Sequence, residues 1–247
     1  MQNIRMQKAK EAFTLVELVV VISVIALLIS GIFATNGLLQ SAKITSTHSQ
    51  FVKYEAAVLR FMQTYDALPG DITIAYNIWG DECDIDSNNC NGNGDSIIGG
   101  KDQDLERVVA WRHLSLAKMI EGEYVASSTV IGGETVPFGK VDDSMITFAS
   151  NYEADGSATL TGYNSFYLVA DDPSCATREI LTSHEIYLID KKFDDGLVTG
   201  KISASENDSC TPVSSDCADV STNSYLNIDD NGTKRCYLSY ATKFSYF

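Results

Sequence analysis

Apolar residues in this chain follow three rhythms in turn. From Phe13 to Phe33 the sequence runs for 21 residues with Glu17 as its only ionisable side chain. At a rise of about 1.5 Å per residue that run reaches roughly 30 Å, the thickness of a bilayer's hydrocarbon core, and predicts a membrane-spanning helix. Beyond Gly37 the rhythm changes. Ile44, Phe51, Tyr54, Val58, Phe61, Met62 and Tyr65 recur at three- and four-residue spacing, with Gln50, Lys53, Glu55, Arg60 and Gln63 on the other faces. This stripe predicts an amphipathic helix packed on the core of its own domain. No proline precedes Pro69, so one helix can run from Phe13 to about Tyr65, with Gly31 and Gly37 as the places where it can bend. Leu68-Pro-Gly-Asp71 stops it, because Pro69 restricts Leu68 and Gly70 supplies a turn.

The third rhythm is shorter. After an Asp/Asn/Gly-rich loop from Asp81 to Gly100, Asp102 and Asp104 place acid at the start of a predicted helix running to about Ile120. Leu105, Val108, Val109, Leu116, Met119 and Ile120 form its apolar face, and His113 reads as a packing or capping residue. From Tyr124 the composition turns β-like. Met145–Tyr152 and Ser157–Thr161 flank Asp155-Gly156 as a hairpin, and Ser165–Ala170, Val198–Ser203 and Arg235–Tyr240 read as further strands. Thr182-Ser-His-Glu185 has capping-box spacing and opens a short helix to Lys192, with a strand over His184–Asp190 as the alternative. The expected class is α+β, with one long helix laid across an antiparallel sheet and two shorter helices.

Composition narrows the setting. The formal charge is −15 over 247 residues, and acidity of this degree argues against a nucleic-acid surface, which needs clustered Lys and Arg. Arg5, Lys8 and Lys10 precede the apolar run and no cation lies within it, which predicts a cytoplasmic amino terminus and an exported remainder. Cys83, Cys90, Cys175, Cys210, Cys217 and Cys236 all fall on the exported side, where an even number most simply forms three disulfides. Cys83–Cys90 is the pair expected to join.

Glu17 does not fit an ordinary membrane span. A carboxylate in a lipid-facing helix costs about 2.5–3.5 kcal/mol at mid-membrane, less near an end, and no Lys, Arg or His within the run offsets it. The surrounding residues, Lys8-Ala-Lys-Glu-Ala-Phe-Thr-Leu-Val-Glu17, closely resemble the leader and cleavage site of type IV prepilins and type II secretion pseudopilins. That resemblance implies a pilin-like fold, a cut between Ala12 and Phe13 by a prepilin peptidase, and N-methylation of Phe13. It makes Glu17 a filament-assembly residue, since a carboxylate there can neutralise the new amine of a neighbouring subunit. Ala12 departs from the glycine usual before the cut, and remains small. Removing residues 1–12 takes three cations and one anion, leaving −17. Leu68-Pro-Gly-Asp71, Trp111-Arg-His-Leu114 and Ile189-Asp-Lys-Lys-Phe-Asp-Asp-Gly196 resemble a subgroup of prepilin-type proteins with enlarged heads.

The expected organisation is a leader at 1–12, a transmembrane and filament-core segment at 13–35, and a periplasmic or extracellular head at 36–247. The implied partners are the prepilin peptidase, other pilin or pseudopilin subunits and the inner-membrane assembly platform. A type IV pilus pilin, major or minor, is the nearest alternative to a secretion pseudopilin. A single-pass anchor carrying a periplasmic hydrolase or ligand-binding head is the alternative from another class.

Calcium is the one candidate ion. In Asn91-Gly-Asn-Gly-Asp-Ser-Ile-Ile-Gly-Gly-Lys-Asp102, oxygens at Asn91, Asn93, Asp95 and Asp102 occupy positions 1, 3, 5 and 12 of an EF-hand-like register. Asn for the first Asp, Ser96 for the turn glycine and Asp102 for the usual Glu are departures, and a disulfide-closed Asn/Gly turn explains the loop without an ion. Asp190, Asp194 and Asp195 before Gly196 are the second candidate. No G-x-S-x-G elbow, H-E-x-x-H pair or P-loop occurs, so the expectation is a protein that undergoes chemistry and performs none.

Overall fold

The computed structural model describes residues 14–84, 87–99, 104–127, 129–150, 163–171, 180–205, 217–219, 221–226 and 236–245. The chain divides into two units, Met1–Ala42 and Lys43–Phe247. Helix α1, Leu15–Tyr65, begins in the first and ends in the second, and is helical through Gly31 and Gly37. It is followed by α2 (Ala75–Trp79), a 3-10 turn (Gly80–Glu82), α3 (Ser87–Cys90) and α4 (Asp104–Leu116). Then come strands β1 (Ser144–Ser150) and β2 (Tyr163–Ala170), helix α5 (Ser183–Phe193), and strands β3 (Ile202–Ser205), β4 (Ala218–Asp219), β5 (Ser224–Tyr225) and β6 (Tyr237–Ser245). The main sheet is antiparallel in the order β1-β2-β6-β3, and β4-β5 form a separate small hairpin.

The head is α+β, with helix α1 and the antiparallel sheet sharing one core. The α1 stripe packs as its spacing predicts: Phe51, Tyr54, Val58 and Phe61 are buried, and Ile44, Met62 and Tyr65 pack at the edge. Phe51 stacks on Tyr240 of β6 at 5.0 Å, while Tyr54 meets Trp111 of α4 edge-on at 4.9 Å. Such aromatic pairs add about 0.5–1.5 kcal/mol beyond the area they bury. Phe148 and Phe166 bring β1 and β2 into the same cluster at 4.7 Å.

One polar knot sits in this interface. Lys201 Nζ donates to both Glu55 oxygens at 3.1 and 2.9 Å and lies 4.4 Å from the Tyr240 ring centroid. Tyr240 Oη donates to Glu55 at 3.0 Å. The Glu55 side chain is only 12% exposed, so its removal strands a half-buried cation and a phenol together. Glu55→Ala should destabilise the head by about 2–3 kcal/mol in a urea unfolding series. Glu55→Gln, which keeps one acceptor, should lose less.

Several boundaries move for identifiable reasons. Helix α4 ends at Leu116, short of Ile120, because Lys118 turns left-handed at φ 57°. Met119 N then donates to Leu114 O and Lys118 N to Ser115 O, the two bonds of a Schellman stop. The stretch 183–193 is helical, not extended. Thr182 and Glu185 cap it reciprocally, which rules out the strand over His184–Asp190. Strand β3 starts at Ile202, later than Val198, after Asp194 accepts the Ile202 amide at 3.0 Å. The expected hairpin at Asp155-Gly156 and the strand Ser157–Thr161 lie outside the described residues.

Candidate functional site

At the amino-terminal motif, Thr14 and Glu17 close a second reciprocal cap. Thr14 N and Oγ1 each donate to Glu17 Oε2 at 2.9 Å, and Glu17 N donates back to Thr14 Oγ1 at 3.3 Å. The carboxylate therefore serves the first turn of α1, satisfying an amide that has no partner within the helix. The signal was available: Thr14-Leu-Val-Glu17 has the same spacing as Thr182-Ser-His-Glu185. Leu15, Val16, Leu18, Leu27 and Leu28 are 58–80% exposed and the other large apolar residues from Val19 to Ile29 are 47–55% exposed, so the described apolar side chains of this unit are unburied. Among the described residues no helix is long and apolar enough to cross a membrane. The apolar run of the sequence reaches past the described side chains at both ends, and Ala12 and Phe13 lie outside the described residues.

The head has its own organising centre, at Leu68-Pro-Gly-Asp71. Asp71, 4% exposed, accepts the amides of Gly94, Asp95 and Ser96 at 2.6, 3.1 and 2.8 Å. Glu106 of α4, 7% exposed, accepts those of Asn93 at 3.2 Å and Gly99 at 3.1 Å. Two buried carboxylates thus hold the loop 93–99 through its backbone. Gly92 is required because a Cβ there would lie 2.3 Å from the Gly70 carbonyl oxygen and from Asp71 Cα. His113 locks the opposite side. Its Nδ1 accepts the Gly70 amide at 2.9 Å, which leaves Nε2 protonated to donate to the Cys90 carbonyl at 2.9 Å. Burial holds the His113 ring neutral down to about 4. The motifs Leu68–Asp71 and Trp111–Leu114 therefore meet in space, around the disulfide Cys83–Cys90.

Three oxygens of the EF-hand-like register face backbone amides. Asn91 Oδ1 accepts the Tyr76 amide at 2.9 Å, Asn93 Oδ1 accepts the Asp95 amide at 2.9 Å, and Asp95 Oδ1 accepts the Ile97 amide at 2.8 Å. Asp102 lies outside the described residues. The carboxylates brought within 4.8 Å of Asp95 are Asp71 and Glu106, which the register of the loop gave no means of finding. Glycines at 92 and 94 were the available signal that another backbone approaches.

Burial first, then the nearby Asp71 and Asp95 charges, push the Glu106 carboxyl up to about 7. A carboxyl whose folded value lies above its ordinary 4.5 contributes stability that is complete below about 4.5 and is lost as pH rises through 7. Asp190, raised to about 6, works in the same sense, while His113 works in the opposite sense between about 4 and 6.5. Above pH 6.5 the Glu106 contribution is therefore best separated. Denaturation midpoints should fall between pH 6.5 and 7.5, and Glu106→Gln should flatten that fall.

The second acidic group, Asp190, Asp194 and Asp195, comes together within 4.8 Å at the end of α5. Asp190 is fully buried and accepts Tyr225 Oη at 2.6 Å and the Gly196 amide at 3.2 Å. Asp194 accepts Ile202 N and Asp195 accepts Leu197 N, so each carboxylate fixes backbone in the turn between α5 and β3. Tyr225 reaches Asp190 from the β4-β5 hairpin, which is tied below by Cys217–Cys236. Cys175 and Cys210 lie outside the described residues.

Residues 7–33 match the family model for the prokaryotic N-terminal methylation motif, the signature of the type IV pilin and pseudopilin family. No curated protein and no solved structure matches the chain. The motif implies processing by a prepilin peptidase, assembly with other pilin-type subunits and membrane anchoring through the amino-terminal helix. It points to a structural subunit.

Proposed function

We propose that the protein is a structural subunit of a type II secretion pseudopilus, cut between Ala12 and Phe13, methylated at Phe13 and inserted with its amino terminus cytoplasmic and its head periplasmic. The observation that carries the reading is the methylation motif over residues 7–33 with Glu17 placed in it. The head supports it by what its ionisable groups do. Asp71, Glu106, His113, Asp190 and Glu55 each hold backbone or a structural partner. An acidic head suits an exported, soluble surface. A type IV pilus pilin shares every one of these features, and the neighbouring genes separate the two systems.

Mass spectrometry of the membrane-derived protein tests the reading. The expected species begins at Phe13, lacks residues 1–12 and carries one methyl group on its amine. A chain retaining Met1 in cells with an active prepilin peptidase overturns the proposal and favours a permanently anchored head.

A further inference from the structure

Two exposed surfaces of the head each carry a pair of aliphatic residues and oppose each other in charge. The first lies on the outer face of α1. Val52 and Leu59 are each 44% exposed and stand seven residues apart, two helical turns along one face. Lys53 and Arg60 repeat at the same interval beside them, both exposed. Between Lys43 and Tyr65 the only acid is Glu55, and it is turned inward onto Lys201. On a chain of net charge −15 this strip is a local cationic, apolar exception.

The second surface surrounds α2. Ile74, which caps α2 in a non-helical conformation, and Ile78 within the helix are 52% and 41% exposed, and Asp81 and Glu82 follow in the exposed 3-10 turn. The patch is rigid, because Trp79 on the inner side lies 5.2 Å from His113 and 5.3 Å from Tyr65. Scattered exposed aliphatics are ordinary on soluble surfaces. A pair in helical register beside two cations, and a second pair beside two anions, is a complementary set.

We propose that the Val52/Lys53/Leu59/Arg60 strip of one copy receives the Ile74/Ile78/Asp81/Glu82 patch of the next copy of this chain. The two surfaces are different parts of one molecule, so the contact is head-to-tail, and it builds an open filament wherever the rotation between copies does not close a ring. Lys53 also reaches Glu121 at 3.6 Å, but that carboxylate is 93% exposed and the pair is solvated enough to exchange partners. Net negative charge on the chain disfavours contact of the acidic patch with most other faces; Lys191 and Lys192 at the end of α5 are also exposed, but only the α1 strip sets its two cations beside two exposed aliphatics in helical register. The inference rests on the filament reading above and supplies that filament with a contact between heads.

The test uses the full chain produced in membranes together with a prepilin peptidase, with a benzoylphenylalanine side chain in place of Leu59. Ultraviolet light should give a ladder of cross-linked copies whose adducts map to residues 74–82. Lys53→Glu with Arg60→Glu in one chain, or Asp81→Lys with Glu82→Lys in another, should each reduce the ladder by about tenfold, because like charges then face each other. Mixing the two charge-reversed chains should restore it, since every contact in an alternating assembly again pairs opposite signs. Hydrogen-exchange protection of β2 and β6 equal to that of the unaltered chain shows that each variant is folded. Adducts mapping to another surface, or a ladder indifferent to both reversals, overturn the proposal. So does loss of membrane retention in the Lys53/Arg60 variant with adducts unchanged, which would assign the strip to anionic lipid headgroups. If Phe13 is methylated and Glu17-dependent co-assembly persists without these adducts, only the head contact fails. An unprocessed chain that gives no ladder overturns the filament reading as well.

Discussion

Glu17→Leu should leave the protein in the membrane fraction and remove it from assembled filaments. Two separate losses act in the same direction. Within the subunit, the Thr14 amide and hydroxyl lose the carboxylate that accepts them at 2.9 Å, which costs the first turn of α1 about 1 kcal/mol. Between subunits, the new amine at Phe13 loses its counter-charge, and a lone ammonium in a low-dielectric helix bundle is penalised far more than a pair. Leucine meanwhile makes the segment more apolar, so insertion is unharmed or improved. Co-purification with wild-type subunits should fall by an order of magnitude or more, about 1.4 kcal/mol for each tenfold. Glu17→Gln separates the two causes. It can still accept from Thr14 and should keep the helix start, yet it cannot neutralise an amine. Normal co-assembly of Glu17→Leu would show that neither the cap nor the charge selects subunits.

The second large effect belongs to the head. Asp71→Ala should release the loop 93–99 and destabilise the head by about 2–3 kcal/mol, because three part-buried amides lose one shared acceptor. Part of the loss is returned, since burial holds the Asp71 carboxyl above its ordinary value and its removal relieves that strain. Hydrogen exchange gives the sharper readout. The amides of Gly94, Asp95 and Ser96 should lose about two orders of magnitude of protection, with residues on β2 and β6 changing little. Asp71→Asn keeps one acceptor oxygen and should lose roughly half as much. Uniform loss of protection across the sheet would mean that Asp71 supports the whole core and not the loop.

Local chemistry was legible in the sequence wherever the partners lie within a few residues. The α1 stripe, the Thr182–Glu185 cap, the end of α1 at Tyr65 and the Cys83–Cys90 pair all follow from short-range spacing, and each is present, although Asp66 at φ 53° ends the helix before Pro69 is reached. The EF-hand-like register has the same short reach. It counts positions along one loop, whereas the carboxylates that meet that loop come from 71 and 106, before and after it. Cys217 pairs with Cys236 and not with the nearer Cys210, because β6 brings Cys236 beside Leu181 at the foot of α5.

The amino acid sequence by itself determined the processing motif, the membrane-anchoring segment and the odd carboxylate within it, since these depend on residue order and on the length of an apolar run. Tertiary structure decided what that order could not encode. It turned Asp71 and Glu106 into a backbone clamp, made His113 a neutral tie between Gly70 and Cys90, and set the strip on α1 opposite in charge to the patch at α2. Burial is the common physical reason: a carboxylate, an imidazole or an isoleucine acquires its role from what the folded chain places against it or leaves open beside it.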